Sequence, residues 1–132
     1  MTGVVAFAGP PAEAEKGIGA LTLGALLAEA CAAWATREAV CFHEPGSPPG
    51  DMVRWSYADL QLEARRVAKA LVAAGVDKGT RVALLMGNRP QWVTCAFGVA
   101  MAGGVLVPVN TLLEQSELAY VLAHSDTAVL LH

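Results

Sequence analysis

The chain has 132 residues, of which 55% are hydrophobic and 16% charged, and its formal net charge at pH 7 is −3. This length predicts one domain with an apolar core, and the few scattered basic residues exclude an electrostatic nucleic-acid surface. Cys31, Cys41 and Cys95 form neither a disulfide framework nor a paired metal motif, so we predict reduced core thiols in a cytoplasmic protein.

The first segment, residues 1–20, is rich in Gly, Pro and Ala and is predicted to be a mobile leader. Its Gly17-Ile18-Gly19 sequence lacks the preceding strand and the third glycine of a dinucleotide loop. Thr22 is the predicted N-cap of a helix that runs to about Thr36. The apolar side chains of one face of that helix are Leu23, Leu26, Leu27, Ala30 and Trp34.

A β-hairpin is predicted next, with strands at residues 39–43 and 52–55 around a Pro- and Gly-rich turn. Ser56 then begins a helix with a capping box that uses Asp59. The predicted buried stripe of this helix is Leu60, Ala64, Val67, Leu71 and Ala74. The basic residues off that stripe, interpreted as a solvated ion-paired face rather than a phosphate-binding patch, are Arg65, Arg66 and Lys69.

Residues 79–110 predict a strand, a helix and a second strand. The predicted strands are residues 81–86 and 105–109. The predicted helix between them is residues 92–102. Its N-cap is Asn88 or Arg89, Pro90 lies in its first turn, and Gly103-Gly104 ends it. A further helix at 116–124, with a buried side of Leu118, Val121 and Leu122, leads to a last strand at 127–131. The alternation predicts an α/β fold with a mostly parallel sheet and βαβ crossovers, preceded by a helix and a β-hairpin.

Residues 90–113 contain no charged side chain over 24 positions, a length typical of a membrane span. We predict no span, because Gly103-Gly104 and Pro108 interrupt a helix there and no basic cluster flanks the segment. The amino-terminal residues likewise lack the basic and apolar regions of a signal peptide.

No motif in the chain carries recognisable site chemistry. Walker A, HExxH and GxSxG sequences are absent, and no Cys/His ligand set is paired. We interpret the histidines as structural and the tryptophans as core residues; these are His43, His124 and His132, and Trp34, Trp55 and Trp92. No catalytic, cofactor-binding or metal-binding residue is therefore assigned.

Three segments, in order and in register over about residues 21–132, resemble the amino-terminal part of the adenylate-forming (AMP-dependent) acyl-CoA synthetase and ligase family. They are RWSYADL at 54–60, GVDKGTRVA at 75–83 followed by NRPQW at 88–92, and AGGVLVPVN at 102–110 followed by ELAYVL at 117–122. Thr80 stands where the family usually has Asp. Asn110 favours the acyl- or aryl-CoA ligase branch over peptide-synthetase adenylation domains.

The resemblance implies a reaction in which acid, ATP and CoA give acyl-CoA, AMP and pyrophosphate, with ATP, Mg and CoA as cofactors. It implies that the phosphate-binding loop, the metal ligand and the catalytic Lys lie beyond His132. We therefore expect a truncated scaffold that is inactive alone and whose partner is the rest of the synthetase chain or a second copy. The alternatives are a stand-alone interaction or oligomerisation module and an unrelated small-ligand-binding α/β domain.

Overall fold

The computed structural model describes residues 21–48 and 50–132. The elements in this part of the chain are α1 (Leu23–Trp34), β1 (Glu38–His43), β2 (Met52–Ser56), α2 (Tyr57–Ala73), β3 (Arg81–Leu85), α3 (Pro90–Met101), β4 (Val105–Val109), α4 (Gln115–His124) and β5 (Val129–Leu131). The predicted α/β fold is confirmed. The leader predicted at residues 1–20 lies outside the described residues.

Helix α1 begins where its polar cap predicts. The Ala25 N–H donates to Thr22 Oγ1 at 3.1 Å, which satisfies one of the donors left free at a helix start. Strands β1 and β2 then pair antiparallel, with Val40 opposite Trp55, so the predicted β-hairpin is confirmed. This hairpin forms a sheet of its own, separate from the parallel strands.

Helix α2 carries the predicted capping box. The Asp59 N–H donates to Ser56 Oγ at 3.2 Å, and the Ser56 N–H donates to Asp59 Oδ2 at 2.9 Å. Gly75 follows the helix at φ +88°, a left-handed conformation in which a Cβ would be strained. Local chemistry alone therefore sets both ends of this helix.

Ser56→Ala is expected to destabilise the protein by about 1 kcal/mol at neutral pH, because it removes an N-cap acceptor. The Ser56 hydroxyl and the Ser56 backbone N–H hold the pKa of Asp59 below its ordinary value. Stability from that carboxylate is therefore complete above an ordinary pKa of about 4 and is lost as the pH falls through the lower folded pKa.

Thermal unfolding of wild type and Ser56→Ala at pH 7 and in the acid range measures both effects. Ser116→Ala, an exposed serine within α4 rather than at its cap, is the control and should match wild type. Equal stability of Ser56→Ala and wild type at neutral pH would contradict a stabilising cap.

The parallel sheet has the order β4-β3-β5. Strand β3 pairs with β4 from Arg81↔Val105 to Leu85↔Val109, and with β5 from Val82↔Val129 to Leu84↔Leu131. The prediction of three adjacent parallel strands is confirmed. Because β3 has a strand on each side and helices over the sheet, Val82, Ala83 and Leu84 are completely buried.

The predicted end of the helix at Gly103-Gly104 is confirmed, because α3 ends at Met101 and β4 begins at Val105. Arg89 is the N-cap residue, Pro90 occupies the first helical position, and Gly103 follows the helix at φ +81°. Among the described residues, no helix is long and apolar enough to cross a membrane. Residues 90–113 are instead divided between a short helix and a strand.

Two apolar clusters form the core. The sheet-side cluster is Leu71, Val76, Val82 and Val99; the helix-side cluster is Leu27, Leu60 and Ala64. Of the stripe predicted on α2, Leu60, Ala64 and Leu71 are buried and Val67 is half-buried. Ala74 is exposed because it is the C-cap residue, beyond the end of the helix. The side of α4 that was predicted to be buried, Leu118, Val121 and Leu122, is only half-buried, and no residue of α4 is fully buried.

Two further predictions of burial are wrong. Trp34 is 48% exposed because it lies at the open carboxyl end of α1, and Trp55 and Trp92 are half-buried. Cys41 is exposed on the hairpin, while Cys31 and Cys95 are half-buried, so the thiols are free but are not core residues.

Candidate functional site

The most site-like feature of the described residues is an apolar cleft of about 420 Å³, which we call the α1 cleft. It lies between α1, the hairpin, α2 and α3. Its lining is Leu26, Leu27, Ala30, Trp34, Ala39, Val40, Tyr57, Leu60, Val93 and Phe97. A volume of this size is within the range of small-molecule sites, but such sites also hold a few converging polar groups.

The α1 cleft lacks those groups. Of its lining, only the Tyr57 hydroxyl and the Trp34 indole N–H are polar side-chain groups, and the two rings lie 6.0 Å apart at a tilt of 49°. No charged residue lines it. The cleft can therefore receive apolar side chains or an apolar ligand, but it holds no acid, base or nucleophile for a reaction.

The cleft exists because α1 is apolar nearly all round, with Glu29 as its one charged residue. Leu27 faces inward and is 2% exposed, whereas Leu23 and Leu26 remain 57% and 49% exposed. An exposed contiguous apolar surface of this kind is typical of an interaction face. The sequence pattern places the large residues of α1 along one face, and in the structure Leu27 is the residue of that face that is fully buried.

A second cavity, of about 260 Å³, lies where α3 begins. Its lining is Val40, Cys41, Phe42, Asn88, Arg89, Pro90, Trp92 and Val93. Arg89 is the charged member and its side chain makes no capping hydrogen bond with the helix. Arg89 is exposed to solvent, so the cavity combines an apolar floor with one solvated cation.

Two of the three histidines contact neighbouring groups. His43 Nε2 lies 3.3 Å from the Pro48 carbonyl oxygen, and the His124 ring stacks on Tyr120 at 5.3 Å. His132 is exposed. Over the described ranges no three His, Cys, Asp or Glu side chains lie close enough together to hold a metal ion.

The basic face of α2 is solvated, as predicted. Arg66 Nη1 pairs with Glu63 Oε1 at 2.6 Å, one helical turn away, and Arg65 and Lys69 are exposed. The Cys95 thiol is half-buried, and burial raises its pKa, so it stays protonated and is a poor nucleophile at neutral pH. None of these groups converges on either cavity.

The sequence is similar to a known enzyme family and to curated acyl-CoA ligases. The AMP-binding enzyme family matches residues 27–132. The chain is 37% identical over 110 residues to the acyl-CoA ligase sidI of Aspergillus fumigatus, covering 83% of this chain and 18% of that protein. It is 39% identical over 84 residues to the long-chain-fatty-acid–CoA ligase FadD13 of Mycobacterium tuberculosis, covering 64% of this chain and 17% of that protein.

The structure is similar to solved structures of acyl-CoA synthetases. The crystal structure of the N-terminal domain of FACL13 from Mycobacterium tuberculosis superposes with a TM-score of 0.74 at 33% identity, covering 83% of this chain and 26% of that one. The chain thus spans about a fifth of the curated relatives that it matches. Because the family match extends from within α1 to the end of β5 and so includes both sheets, this chain belongs to the AMP-binding enzyme family.

Proposed function

We propose that these residues are the amino-terminal scaffold of an ATP-dependent acyl- or aryl-CoA ligase, which joins a carboxylic acid to CoA with release of AMP and pyrophosphate. The observation that carries this proposal is the match of residues 27–132 to the family, together with relatives that are acyl-CoA ligases. In this proposal the chain contributes shape and stability, and the reacting groups belong to other parts of the ligase.

The described residues do not fit a site for ATP and Mg. Magnesium bound to a nucleotide is held by carboxylates together with phosphate oxygens. Here the carboxylates of Glu38, Glu63 and Asp126 lie beside arginines on exposed surface, and none forms a cluster suited to a metal. We therefore derive no catalytic step from these side chains, and ATP, Mg and CoA are proposed ligands of the complete ligase only.

The scaffold role has a specific physical basis in the β3–α3–β4 unit. The middle of strand β3 is buried, with a neighbouring strand on each side, and Val99 of α3 is buried with Val82 in the sheet-side cluster. Such a unit fixes where the carboxyl ends of the strands emerge, which is the edge where open α/β sheets place ligands. Asn110 lies at that edge, and its Oδ1 accepts from the Leu112 N–H at 2.9 Å, which orders the loop after β4.

We place the ligase in the cytoplasm. The three cysteines are free, and free thiols persist in a reducing compartment.

The second candidate function is a stand-alone interaction module, and the α1 cleft favours it. Leu26 and Trp34, which line that cleft, are both about half exposed. A partner that inserted apolar side chains there would bury these residues. The ligase proposal and this alternative predict different activities for a relative's enzyme in which residues 27–132 replace the matching segment.

An assay of carboxylate-dependent ATP–pyrophosphate exchange tests the proposal. We expect the 132-residue chain to show no exchange, because no part of it resembles the phosphate-binding loop of the family. We expect FadD13 carrying residues 27–132 in place of its own matching segment to keep exchange with a long-chain fatty acid within about tenfold of its parent. That factor corresponds to about 1.4 kcal/mol of misfit in the active geometry.

The control is the same chimera with Leu71→Asp, which should lose exchange because the graft no longer folds. A folded chimera without exchange would contradict the scaffold proposal and favour the interaction module. Exchange by the 132-residue chain itself, abolished by a substitution within it, would contradict the assignment of the reacting groups to other parts of the ligase.

A further inference from the structure

The turn that leads into β3, residues 77–80, is closed by a pair of side chains as well as by its backbone. The Thr80 N–H donates to the Asp77 carbonyl oxygen at 3.1 Å. The Thr80 hydroxyl accepts from the Asp77 N–H at 3.1 Å and donates to Asp77 Oδ1 at 2.7 Å. Asp77 and Thr80 therefore satisfy each other's polar groups within one turn.

This turn contacts the turn before β4 through its backbone. The Gly79 N–H donates to the Gly103 carbonyl oxygen at 2.9 Å, and the Val105 N–H donates to the Thr80 carbonyl oxygen at 2.8 Å. A Cβ at Gly103 would lie 3.3 Å from Lys78 Cα, so the two turns approach closely. The shape of the first turn therefore helps to fix how β3 and β4 begin side by side.

Thr80 fits this turn because a hydroxyl can both accept and donate a hydrogen bond. Its oxygen accepts from the Asp77 N–H, while its proton is donated to the Asp77 carboxylate. A carboxylate in place of this hydroxyl could accept from the N–H but would have no proton to donate. It would instead lie beside the Asp77 carboxylate, where two like charges repel. Asp77 therefore restricts which residue position 80 can hold.

The start of α2 contains the same kind of pair with its roles exchanged. There the hydroxyl belongs to the earlier residue, Ser56, and the carboxylate to the later one, Asp59. The Ser56 N–H donates to Asp59 Oδ2 at 2.9 Å, and the Ser56 hydroxyl donates to the same oxygen at 2.6 Å. In both places the N–H of the earlier residue donates to the side chain of the later one, and one hydroxyl faces one carboxylate.

We propose that positions 77 and 80 are coupled, so that the turn accepts a carboxylate at either position but not at both. Asp77 then explains why this chain carries Thr80 where the family usually has Asp. Thr80→Asp restores the usual residue of the family, yet it is expected to destabilise this protein. Adding Asp77→Ser should restore the stability, because a hydroxyl at position 77 can donate to the new carboxylate as Ser56 does to Asp59.

This inference does not rest on the proposed function. The 77–80 turn lies where β3 begins, whereas open α/β sheets bind ligands beyond the carboxyl ends of their strands. The hydrogen bonds of the pair join two residues of one turn, so they do not depend on what covers the outer surface of the domain. Substitutions in this pair should therefore alter the stability of the scaffold and not the chemistry of a ligase.

Urea denaturation of wild type, Thr80→Asp, Asp77→Ser and the double variant tests the coupling as a double-mutant cycle. Thr80→Asp should lower the folding equilibrium constant about tenfold, because two carboxylates replace a hydroxyl–carboxylate pair. The double variant should lie within about threefold of wild type. Thr111→Asp is the control for the added charge, since Thr111 is exposed in the loop after β4, and it should also lie within about threefold of wild type.

Amide hydrogen exchange shows whether the effect lies in the turn. In Thr80→Asp, the N–H groups of Gly79 and Val105 should exchange faster than in wild type, and adding Asp77→Ser should return them to the wild-type rate. Thr80→Asp as stable as wild type, a double variant no more stable than Thr80→Asp, or unchanged exchange at Gly79 in Thr80→Asp would each overturn the proposal.

Discussion

Leu71→Asp is expected to unfold the domain or to remove most of its stability. Leu71 is 4% exposed and belongs to the sheet-side cluster with Val76, Val82 and Val99. Truncating a buried leucine costs about 2–5 kcal/mol, and burying an unpaired carboxylate adds several more. Domains of this kind are stable by only about 5–15 kcal/mol, so the sum approaches the whole stability.

Two controls on the same helix separate burial from helix propensity. Arg66→Ala should change stability by no more than about 0.5 kcal/mol, because its ion pair with Glu63 is on exposed surface. Val72→Asp introduces the same carboxylate at a position that is 57% exposed, and we expect about 1 kcal/mol or less. Urea denaturation gives all three values, and similar midpoints for Leu71→Asp and Val72→Asp would show that the buried face is assigned wrongly.

Gly98→Ala is expected to destabilise the protein even though alanine is the better helix former. A Cβ at Gly98 would lie 2.5 Å from Val67 Cγ1, 2.7 Å from Val67 Cβ and 3.2 Å from the Ala64 carbonyl oxygen. The Cβ and the carbonyl belong to the α2 framework and cannot rotate away. Separating α2 from α3 costs about 1–3 kcal/mol, which exceeds the propensity gain of about 1 kcal/mol.

Gly24→Ala is the matched substitution in another helix. A Cβ there meets mainly Met101 Cγ at 3.3 Å, the flexible part of a side chain that can move. We therefore expect Gly24→Ala to be neutral or slightly stabilising. Thermal unfolding of both variants decides the matter: equal stabilisation by the two alanines would mean that α2 and α3 are not packed as closely as Gly98 indicates.

The family, unlike the site, could be identified from the sequence. The motifs that identify the family, such as residues 54–60 around the Ser56 cap and residues 102–110 before the loop after β4, are each a few residues long. Their order along the chain is therefore sufficient to show membership of the family. A site is a convergence of distant side chains, and neither the α1 cleft nor the cavity at the start of α3 brings reactive groups together. The α1 cleft was missed because its openness depends on which neighbours cover α1.

The sequence by itself determined where the elements begin and end. Thr22 and Ser56 cap their helices, Gly75 and Gly103 end theirs in a left-handed conformation, and Pro90 opens α3. Each of these features is set by hydrogen bonds and steric limits within a few residues. Local chemistry of this kind acts in the same way whatever the rest of the chain does.

Only the tertiary structure decided which surfaces are covered. The order β4-β3-β5 buries the middle of β3. The packing of the helices leaves Trp34 exposed and makes Gly98 a contact point between α3 and α2. Apolar periodicity identifies the residues that can be buried, but burial itself requires a partner element, and that partner is separated from them in the chain.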